Sequence, residues 1–292
     1  MQSLTSLVIP VAVFVLMWIV GLDLTPADFR RIARYPTATL VGTAGQLACL
    51  PVVATLLILF LRPPPAIVGG VILIAGAPSG AISNLLTLLA RGNAALSVTL
   101  TAVSNTLGVI TYPLLAAGGF GLFLKETVEV RVPIPTMMGQ LAVLMVLPIG
   151  LGMLVRSRRE GVLRYRTFFH RVSLLLVFGV VLAVVIDQRA VLVESVRGVA
   201  ALAAALTISV MFVGLGLARL AGLPLVDGTA FVMEFSARNA AIALVVAVTT
   251  LGRPDYAMFI IAYFLVQMLV TIPVIGLLRR LTVEEPPART AS

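Results

Sequence analysis

The chain alternates between long apolar runs and short polar connections. Each apolar run is close to the length of about 20 residues that a helix needs to cross the hydrocarbon core of a bilayer. The predicted spans are 3–24, 37–60, 66–90, 94–118, 133–155, 171–187, 197–218, 227–250 and 256–278. This pattern predicts an all-α membrane protein with nine transmembrane helices.

Polar and helix-breaking residues interrupt two of these spans. The third contains Gly76-Ala77-Pro78-Ser79-Gly80-Ala81-Ile82-Ser83-Asn84, and the eighth contains Glu234-Phe235-Ser236-Ala237-Arg238-Asn239. Irregular backbone at membrane depth is tolerated where protein surrounds it or where it lines a water-filled cavity. A proline kink packed against a neighbouring helix is the simpler explanation of the first interruption. The recurrence of an interruption in each half of the chain favours a secondary transporter with its binding site at two broken helices.

Composition supports the membrane assignment. Hydrophobic residues make up 60% of the chain, charged residues 11%, and the mean hydropathy is +1.11, whereas about a quarter of residues are charged in soluble domains. The formal net charge of +9 does not indicate a nucleic-acid partner, because the basic residues lie between apolar spans. Cys49 is the single cysteine, which excludes an intrachain disulfide or a Cys-based metal site.

The basic residues predict how the chain is oriented. Fourteen Lys and Arg residues fall in one set of connections and six in the other, and Arg238 lies inside a span. The positive-inside rule then places the C-terminus in the cytoplasm and the N-terminus outside. The predicted location is the plasma or inner membrane. The basic segment 156–171 is read as a long cytoplasmic connection between the two halves.

On this orientation the two interrupted spans run in opposite directions, as expected of inverted repeats. The predicted first repeat covers residues 1–118 and has four helices, with its broken helix at about 66–90. The second covers residues 119–292 and has five helices, with its broken helix at about 227–250. The odd total follows if the first repeat lacks its opening helix.

Glu234 is the acidic residue that lies well inside a predicted span. Placing it at the bilayer centre would cost about 3 kcal/mol on insertion scales, so a partner is expected. One candidate is Arg238, four residues further on, and the other is a bound hard cation, which oxygen ligands favour. Ser97, Thr101 and Ser104 share one helical face and offer such oxygens. Such hydroxyls also commonly bond the carbonyl one turn back in their own helix.

These segments resemble the bile acid:sodium symporter family, in the same order and over essentially the whole chain. The motifs that carry the resemblance are residues 80–84 with 89–104, residues 21–29, Gln46 followed by Pro51, and residues 234–239. The resemblance implies a ten-helix fold, or nine helices when the first is missing. It also implies a panel domain, a core domain with two crossing broken helices, two sodium sites behind the crossing, and an organic anion between the domains.

The resemblance also implies ligands for each site, carried over by position. The first sodium site would comprise Ser83, Asn84, Ser97, Thr101 and Glu234. The second would comprise Gln46, Glu234, carbonyls near Phe235 and Ala237, and the side chain at position 238. The substrate site would comprise Ala81, Ile82, Asn239, Ala240 and Gln267. Ala81 departs from the threonine that many relatives carry.

Position 238 is the main departure, because the family pattern has glutamine where this chain has Arg238. A guanidinium has only donors and cannot ligate a cation. Its fixed charge is expected to occupy the second site and neutralise Glu234, which leaves one sodium ion at most. In the alternative, Arg238 faces the cavity and binds the anion.

The sequence therefore predicts a secondary active transporter of a small organic anion, coupled to at most one sodium ion. The alternative is a sodium-independent uniporter or proton-linked exporter, in which Glu234 titrates and Arg238 is a tethered cation. A non-transporting receptor is a remote third possibility. No catalytic constellation supports an enzyme, since the single histidine, His170, lies in a predicted connection. No organic cofactor, nucleic acid or obligate protein partner is expected.

Overall fold

The computed structural model describes residues 2–30, 36–124, 132–165 and 189–284, together with scattered positions between 168 and 182. Its α-helices are α1 Gln2–Asp23, α2 Pro26–Arg30, α3 Pro36–Leu61, α4 Pro65–Gly76, α5 Ile82–Leu89, α6 Ala94–Phe123, α7 Ile134–Leu141, α8 Leu147–Arg158, α9 Arg189–Leu220, α10 Leu225–Ser236, α11 Ala240–Val245 and α12 Ala257–Glu284. Two π-helical segments, Ala142–Val146 and Val246–Thr250, follow α7 and α11, and two 3₁₀ segments are Glu160–Tyr165 and Pro254–Tyr256. The described part of the chain contains no strand beyond an isolated bridge between Ser79 and Arg238, which confirms the helical prediction there.

Five helices among the described residues are long and apolar enough to cross a membrane. They are Pro36–Leu61, Ala94–Phe123, Ile134–Arg158, Gly198–Leu220 and Pro254–Thr282. Shorter apolar helices cover Ile9–Asp23, Pro65–Gly76 and Ala240–Thr250. A multi-pass helical membrane protein is thereby confirmed. The total of nine helices, the repeats 1–118 and 119–292, and the orientation stay predictions, and the predicted span 171–187 lies largely outside the described residues.

The two interrupted spans are each divided into two helices. Ala77 leaves the helix with φ −61° and ψ 146°, because the following proline disfavours helical geometry at the residue before it. At the other break α10 ends at Ser236 and α11 begins at Ala240. The breaks cross and bond each other: the Gly80 amide donates to the Ala237 carbonyl (2.8 Å), and the Asn239 amide donates to the Pro78 carbonyl (2.9 Å).

These cross-bonds show how irregular backbone is kept in the interior of the bundle. Each break supplies the hydrogen-bond partners that the other would otherwise lack, as buried backbone requires. A Cβ on Gly80 would lie 3.1 Å from the Arg238 carbonyl oxygen, so glycine permits the close approach. The Asn239 side chain then accepts from the Ile242 amide (3.2 Å) and caps α11.

A buried polar cluster lies beside the crossing, and α3 and α6 complete it. Gln46 of α3 is 2% exposed, and Ser97 and Thr101 of α6 are fully buried. Ser104 of α6 accepts a hydrogen bond from the Ser79 amide at 3.0 Å. The hydroxyl face predicted on α6 is therefore turned toward the first helix break.

Helices α1 and α8 pack closely on each other, and a Cβ on Gly152 would lie 2.8 Å from the Gly21 Cα. Two contacts connect α1 and α7 to the second broken helix. The Asn239 side chain lies 3.9 Å from the Met17 sulfur. Gln140 donates to the Thr249 hydroxyl (2.8 Å) and accepts from the Thr250 hydroxyl. The division into panel and core domains remains an expectation of the family resemblance.

We expect Gly70→Ala to destabilise the protein, because a Cβ there would lie 2.7 Å from the Tyr256 carbonyl oxygen and 2.6 Å from the Phe259 Cβ. Overpacking of this kind typically costs about 1–3 kcal/mol. Gly118→Ala in α6 is the matched control, since nothing lies within 4 Å of its Cβ position. This variant should be no less stable than the wild type, because alanine in the middle of a helix is more stable than glycine by about 0.5–1 kcal/mol. Thermal unfolding in detergent checks this. Equal melting temperatures for the two variants would contradict the described packing of α4.

Candidate functional site

The centre of the site is the Glu234 carboxylate, which is fully buried. Its Oε1 accepts hydrogen bonds from the hydroxyls of Ser83 (2.5 Å), Ser97 (2.6 Å) and Thr101 (2.9 Å). Ser83 is the second residue of α5, and the other two hydroxyls come from consecutive turns of α6. Hydrogen bonds of this kind favour the charged form of a carboxylate, whereas burial away from water disfavours it.

Asn84 adjoins the same hydroxyls. Its side-chain oxygen lies 2.9 Å from the Ser97 Oγ and 3.2 Å from the Thr101 Oγ1. The second carboxylate oxygen of Glu234 is buried and has no hydrogen-bond partner among the described residues. The structure thus brings all five residues of the implied first cation site together.

The chemistry of this set fits a sodium ion. A carboxylate, an amide carbonyl and three hydroxyls are all oxygen ligands, which hard cations prefer. The unpartnered carboxylate oxygen is a further acceptor that a cation would satisfy. Hydrogen bonds to charged groups contribute about 1.5–3 kcal/mol each, so three of them offset a burial cost of about 3 kcal/mol. Glu234 is therefore tolerated without a directly bonded arginine.

Arg238 is also buried, with 6% of its surface exposed. Its Nη1 donates to the Gln46 side-chain oxygen at 2.9 Å, and its Nη2 donates to the Ala77 carbonyl. Longer contacts join Nη1 to the Ser79 hydroxyl (3.4 Å) and to the Glu234 carbonyl (3.5 Å). The Ser79 hydroxyl in turn donates to Gln46 at 2.8 Å. The guanidinium is thus surrounded by acceptors.

Two of these acceptors stand at the C-terminal ends of half-helices. Ala77 is the C-cap of α4, and Glu234 lies in the last turn of α10. Helix C-termini carry partial negative charge and favour cations. The guanidinium therefore lies where a positive charge is stabilised by two helix ends and by Gln46.

No ion pair within 4.0 Å joins the Arg238 guanidinium to the Glu234 carboxylate. Arg238 would share a helix face with Glu234 only on a continuous helix, but α10 ends at Ser236 and Arg238 lies in the break. The two charges remain close enough to interact through space. That Arg238 neutralises Glu234 stays a prediction.

Other residues of the implied second site have structural partners. The Ala237 carbonyl accepts the Gly80 amide, and the Phe235 ring stacks on Phe231 with ring centroids 5.8 Å apart. Gln46 is the residue of this set whose side chain contacts the guanidinium directly. Gln46 and the Glu234 carbonyl thus contact the guanidinium, while the contacts described for Phe235 and Ala237 are with other residues.

The implied substrate residues divide into two groups. Ala81 and Ile82 are half-buried at the start of α5, and Asn239 and Ala240 lie at the start of α11. Gln267 is 1% exposed, and its amide donates to Thr271 on its own helix at 3.2 Å. The first four residues are at the crossing, while Gln267 forms its described side-chain bond within α12.

Sequence reasoning missed several members of the polar cluster. Ser79 and the Ala77 carbonyl belong to the motif that signals the first break, but their contact with position 238 depends on how the breaks cross. Asn105 lies one helical turn after Thr101 and donates to the Thr101 carbonyl at 2.8 Å. Asn93 donates to the buried Asp227 at 2.8 Å, a link that the sequence separation conceals.

A sequence profile described as the Sodium Bile acid symporter family matches residues 10–195 of the chain. That range is more than half of the 292 residues. It includes the first helix break, α6 and Gln46, while Glu234 and Arg238 lie beyond it.

Curated proteins with similar sequences carry transporter names. The chain is 39% identical over 116 residues to "Uncharacterized sodium-dependent transporter YocS" of Bacillus subtilis, covering 40% of this chain and 35% of that protein. It is 39% identical over 97 residues to "Probable sodium/metabolite cotransporter BASS1, chloroplastic" of Arabidopsis thaliana, covering 33% and 24%. It is 29% identical over 142 residues to "Sodium/bile acid cotransporter 4" of Mus musculus, covering 47% and 31%. The chain thus spans about a third or less of the length of these relatives.

We expect Thr101→Val to destabilise the sodium-free protein, since the variant keeps the shape of the side chain but removes a donor to Glu234. Loss of one hydrogen bond to a buried charge costs about 1.5–3 kcal/mol. Thr111→Val, two to three turns further along α6, is the control because the Thr111 hydroxyl bonds the Leu107 carbonyl of its own helix. Melting temperatures in sodium-free buffer distinguish the two variants. A Thr101 variant as stable as the Thr111 variant would show that the hydroxyl does not support the carboxylate.

Proposed function

The chain belongs to the sodium bile acid symporter family, and on that basis we propose that it is a secondary active transporter of a small organic anion. The family and the names of the relatives indicate a transporter and not an enzyme. Transport would proceed by alternating access, as the part of the bundle that contains the crossing moves against α1 and the α7–α8 helix. We place the protein in the plasma or inner membrane, with its C-terminus in the cytoplasm.

The observation that carries this proposal is the convergence of hydroxyls on a buried carboxylate beside two crossed helix breaks. Such an arrangement is costly in a membrane and is maintained where an ion or solute pathway requires it. In the proposed cycle, sodium is a co-transported substrate held by the five side chains of the first site, Ser83, Asn84, Ser97, Thr101 and Glu234.

Arg238 limits the proposed coupling to one sodium ion. Its guanidinium takes the Gln46 oxygen and the carbonyls at two helix ends, which a second cation would need. Because a guanidinium has only donors, it cannot replace the glutamine oxygen as a ligand of a second cation. The second site of the family is therefore proposed to be replaced by a tethered cation.

The organic anion is proposed to bind where α5 and α11 begin. Helix starts attract carboxylates and sulfonates, because the helix dipole places partial positive charge there. Ala81 and Ile82 line one helix start, and Asn239 and Ala240 line the other. Gln267 is not included, because it lies on α12 and its amide bonds Thr271 of the same helix.

One alternative has a specific observation in its favour. Hydroxyl donors already reach Glu234, and Arg238 already places a positive charge near it, so sodium is not needed to supply either. A sodium-independent uniporter or a proton-linked exporter on the same fold would use this arrangement. In the exporter, Glu234 would bind and release the proton.

Sodium should raise the melting temperature of the purified protein, because a ligand that binds only the folded state stabilises it, by about 2.7 kcal/mol at 100 times its Kd. The measurement is thermal unfolding across a sodium series, with choline or potassium holding ionic strength constant. Ser97→Ala should weaken the rise, since it removes an oxygen of the first site.

Arg238→Gln is the informative companion variant in this titration. It should show a larger and steeper dependence on sodium than the wild type, because the second site is restored. A rise in Arg238→Gln alone would support the sodium-independent alternative. The absence of a sodium-specific rise in either protein would contradict a sodium site at Glu234.

A further inference from the structure

The carboxylate and the hydroxyls of the first cation site belong to helices that are far apart in sequence. Thr101 of α6 and Glu234 of α10 are separated by 133 residues, yet the Thr101 Oγ1 lies 2.9 Å from the Glu234 Oε1. Sliding one helix along the other by a single residue would displace these oxygens by about 1.5 Å, which is enough to break a hydrogen bond. The site therefore requires a contact that fixes the register of α6 against α10.

A junction between the first turns of the two helices provides such a contact. Asn93 is the N-cap of α6, and its side-chain oxygen accepts from the Leu96 amide at 3.1 Å. Its backbone amide donates to the Val226 carbonyl at 2.9 Å, and its side-chain nitrogen donates to the Asp227 Oδ1 at 2.8 Å. One residue thus caps α6 and connects it to the first turn of α10 by two further bonds.

The junction and the cation site lie at matching distances along the two helices. Thr101 follows Asn93 by eight residues, and Glu234 follows Asp227 by seven, so each lies about two turns, or about 10–12 Å, beyond the junction. Spacings of seven and eight residues also return to the same face of a helix. Since α6 and α10 pack on each other, a junction that aligns their first turns also aligns Thr101 with Glu234.

The turn that leads into the junction is packed tightly on α5 and α10. A Cβ on Gly92 would lie 2.7 Å from the Thr229 Cγ2 and 3.0 Å from the Thr87 Cγ2. The Gly92 amide donates to the Thr87 carbonyl at 2.9 Å, and the Thr87 hydroxyl lies 3.2 Å from the Ser97 Oγ. The three helices that supply the first cation site therefore meet at this turn.

Local effects do not account for the bond between Asn93 and Asp227. Asparagine is a common N-cap, and the helix dipole favours an acidic residue in a first turn. Both effects would be the same if the two side chains did not meet. Asp227 is 6% exposed, and it accepts from a residue 134 positions earlier in the sequence. The bond therefore connects two helices in addition to the caps that each helix has.

We propose that Asn93 and Asp227 are a positioning pair that fixes the register of α6 against α10, and so sets the spacing of the α6 hydroxyls from Glu234. The proposal rests on the proposed function in that sodium is taken as the ion whose affinity depends on this spacing. A binding site needs its groups held to within about 0.5 Å of their productive positions. Neither residue of the pair is a ligand, and both act through the helices that carry the ligands.

Exchanging the two side chains tests the pair. Asn93→Asp alone keeps an oxygen for the helix cap but places two carboxylates together, with no amide donor between them. Adding Asp227→Asn restores the donor, so the exchanged pair can make both side-chain bonds again. Asn93→Ser is a second single variant, which keeps an N-cap oxygen but is too short to reach Asp227. All of these variants leave the cation ligands and Arg238 unchanged.

The first readout is the fall in melting temperature that Thr101→Val causes in sodium-free buffer on each background. A double-mutant cycle of this kind measures whether two positions are coupled. We expect the full fall in the wild type and in the exchanged pair. It should be much smaller in Asn93→Asp and in Asn93→Ser, because the misaligned hydroxyl no longer reaches the carboxylate.

A control variant separates this coupling from a general loss of stability. Asp255→Asn weakens the ion pair of Asp255 with Arg253, which has an N–O distance of 2.6 Å and lies just before α12. It should leave the effect of Thr101→Val unchanged. A purely structural defect at the junction would behave like this control.

The second readout is the Kd of the purified proteins for radioactive sodium. The Kd should rise roughly tenfold in both single variants, the lower end of what residues that support metal ligands contribute, and return to the wild-type value in the exchanged pair. An equal effect of Thr101→Val on all backgrounds would overturn the proposal. An unchanged Kd in the single variants, or an exchanged pair that resembles Asn93→Asp, would also overturn it.

Failure of the proposed function gives a different result. A wild-type protein that binds no sodium would contradict the sodium site itself. The melting-temperature comparison needs no sodium, so it would still decide whether the pair fixes the register of the two helices.

Discussion

A carboxylate buried at membrane depth, that of Glu234, is the constraint on which the rest of this structure depends. Its burial requires donors, and the hydroxyls of Ser83, Ser97 and Thr101 provide them from two neighbouring elements. These hydroxyls meet at one oxygen because the first helix breaks at Pro78 and restarts at Ile82 beside α6. The carboxylate thus explains both the broken helix and the polar face of α6.

The second break follows from the same constraint. Ending α10 at Ser236 places Glu234 in a last helical turn and releases Arg238 from the helix. The guanidinium then reaches the Ala77 carbonyl at the end of α4 and the Glu234 carbonyl in the last turn of α10, so that it stabilises two negative helix ends at once. Backbone bonds between the breaks hold this geometry. The buried carboxylate, the guanidinium and the crossing of the two helix breaks are therefore parts of one arrangement.

Much of this arrangement could be predicted from the sequence, because the signals are local. Proline before a polar run marks the first break, and the spacing of Ser97, Thr101 and Ser104 marks one helical face. The position of Arg238 could not be derived in the same way. Spacing of four residues places it beside Glu234 on a continuous helix, but the helix ends between them. Ser79 and the Ala77 carbonyl become its partners only through the crossing of segments about 160 residues apart.

The central claim is that the Arg238 guanidinium occupies one of the two sodium sites implied by the family and leaves the other to bind one sodium ion. Equilibrium binding of radioactive sodium to the purified wild-type protein tests it most directly, because it counts ions without requiring a substrate or a membrane. The account predicts one displaceable sodium ion per chain, bound more weakly in Ser97→Ala, and two in Arg238→Gln. Two sodium ions bound to the wild-type chain would contradict it.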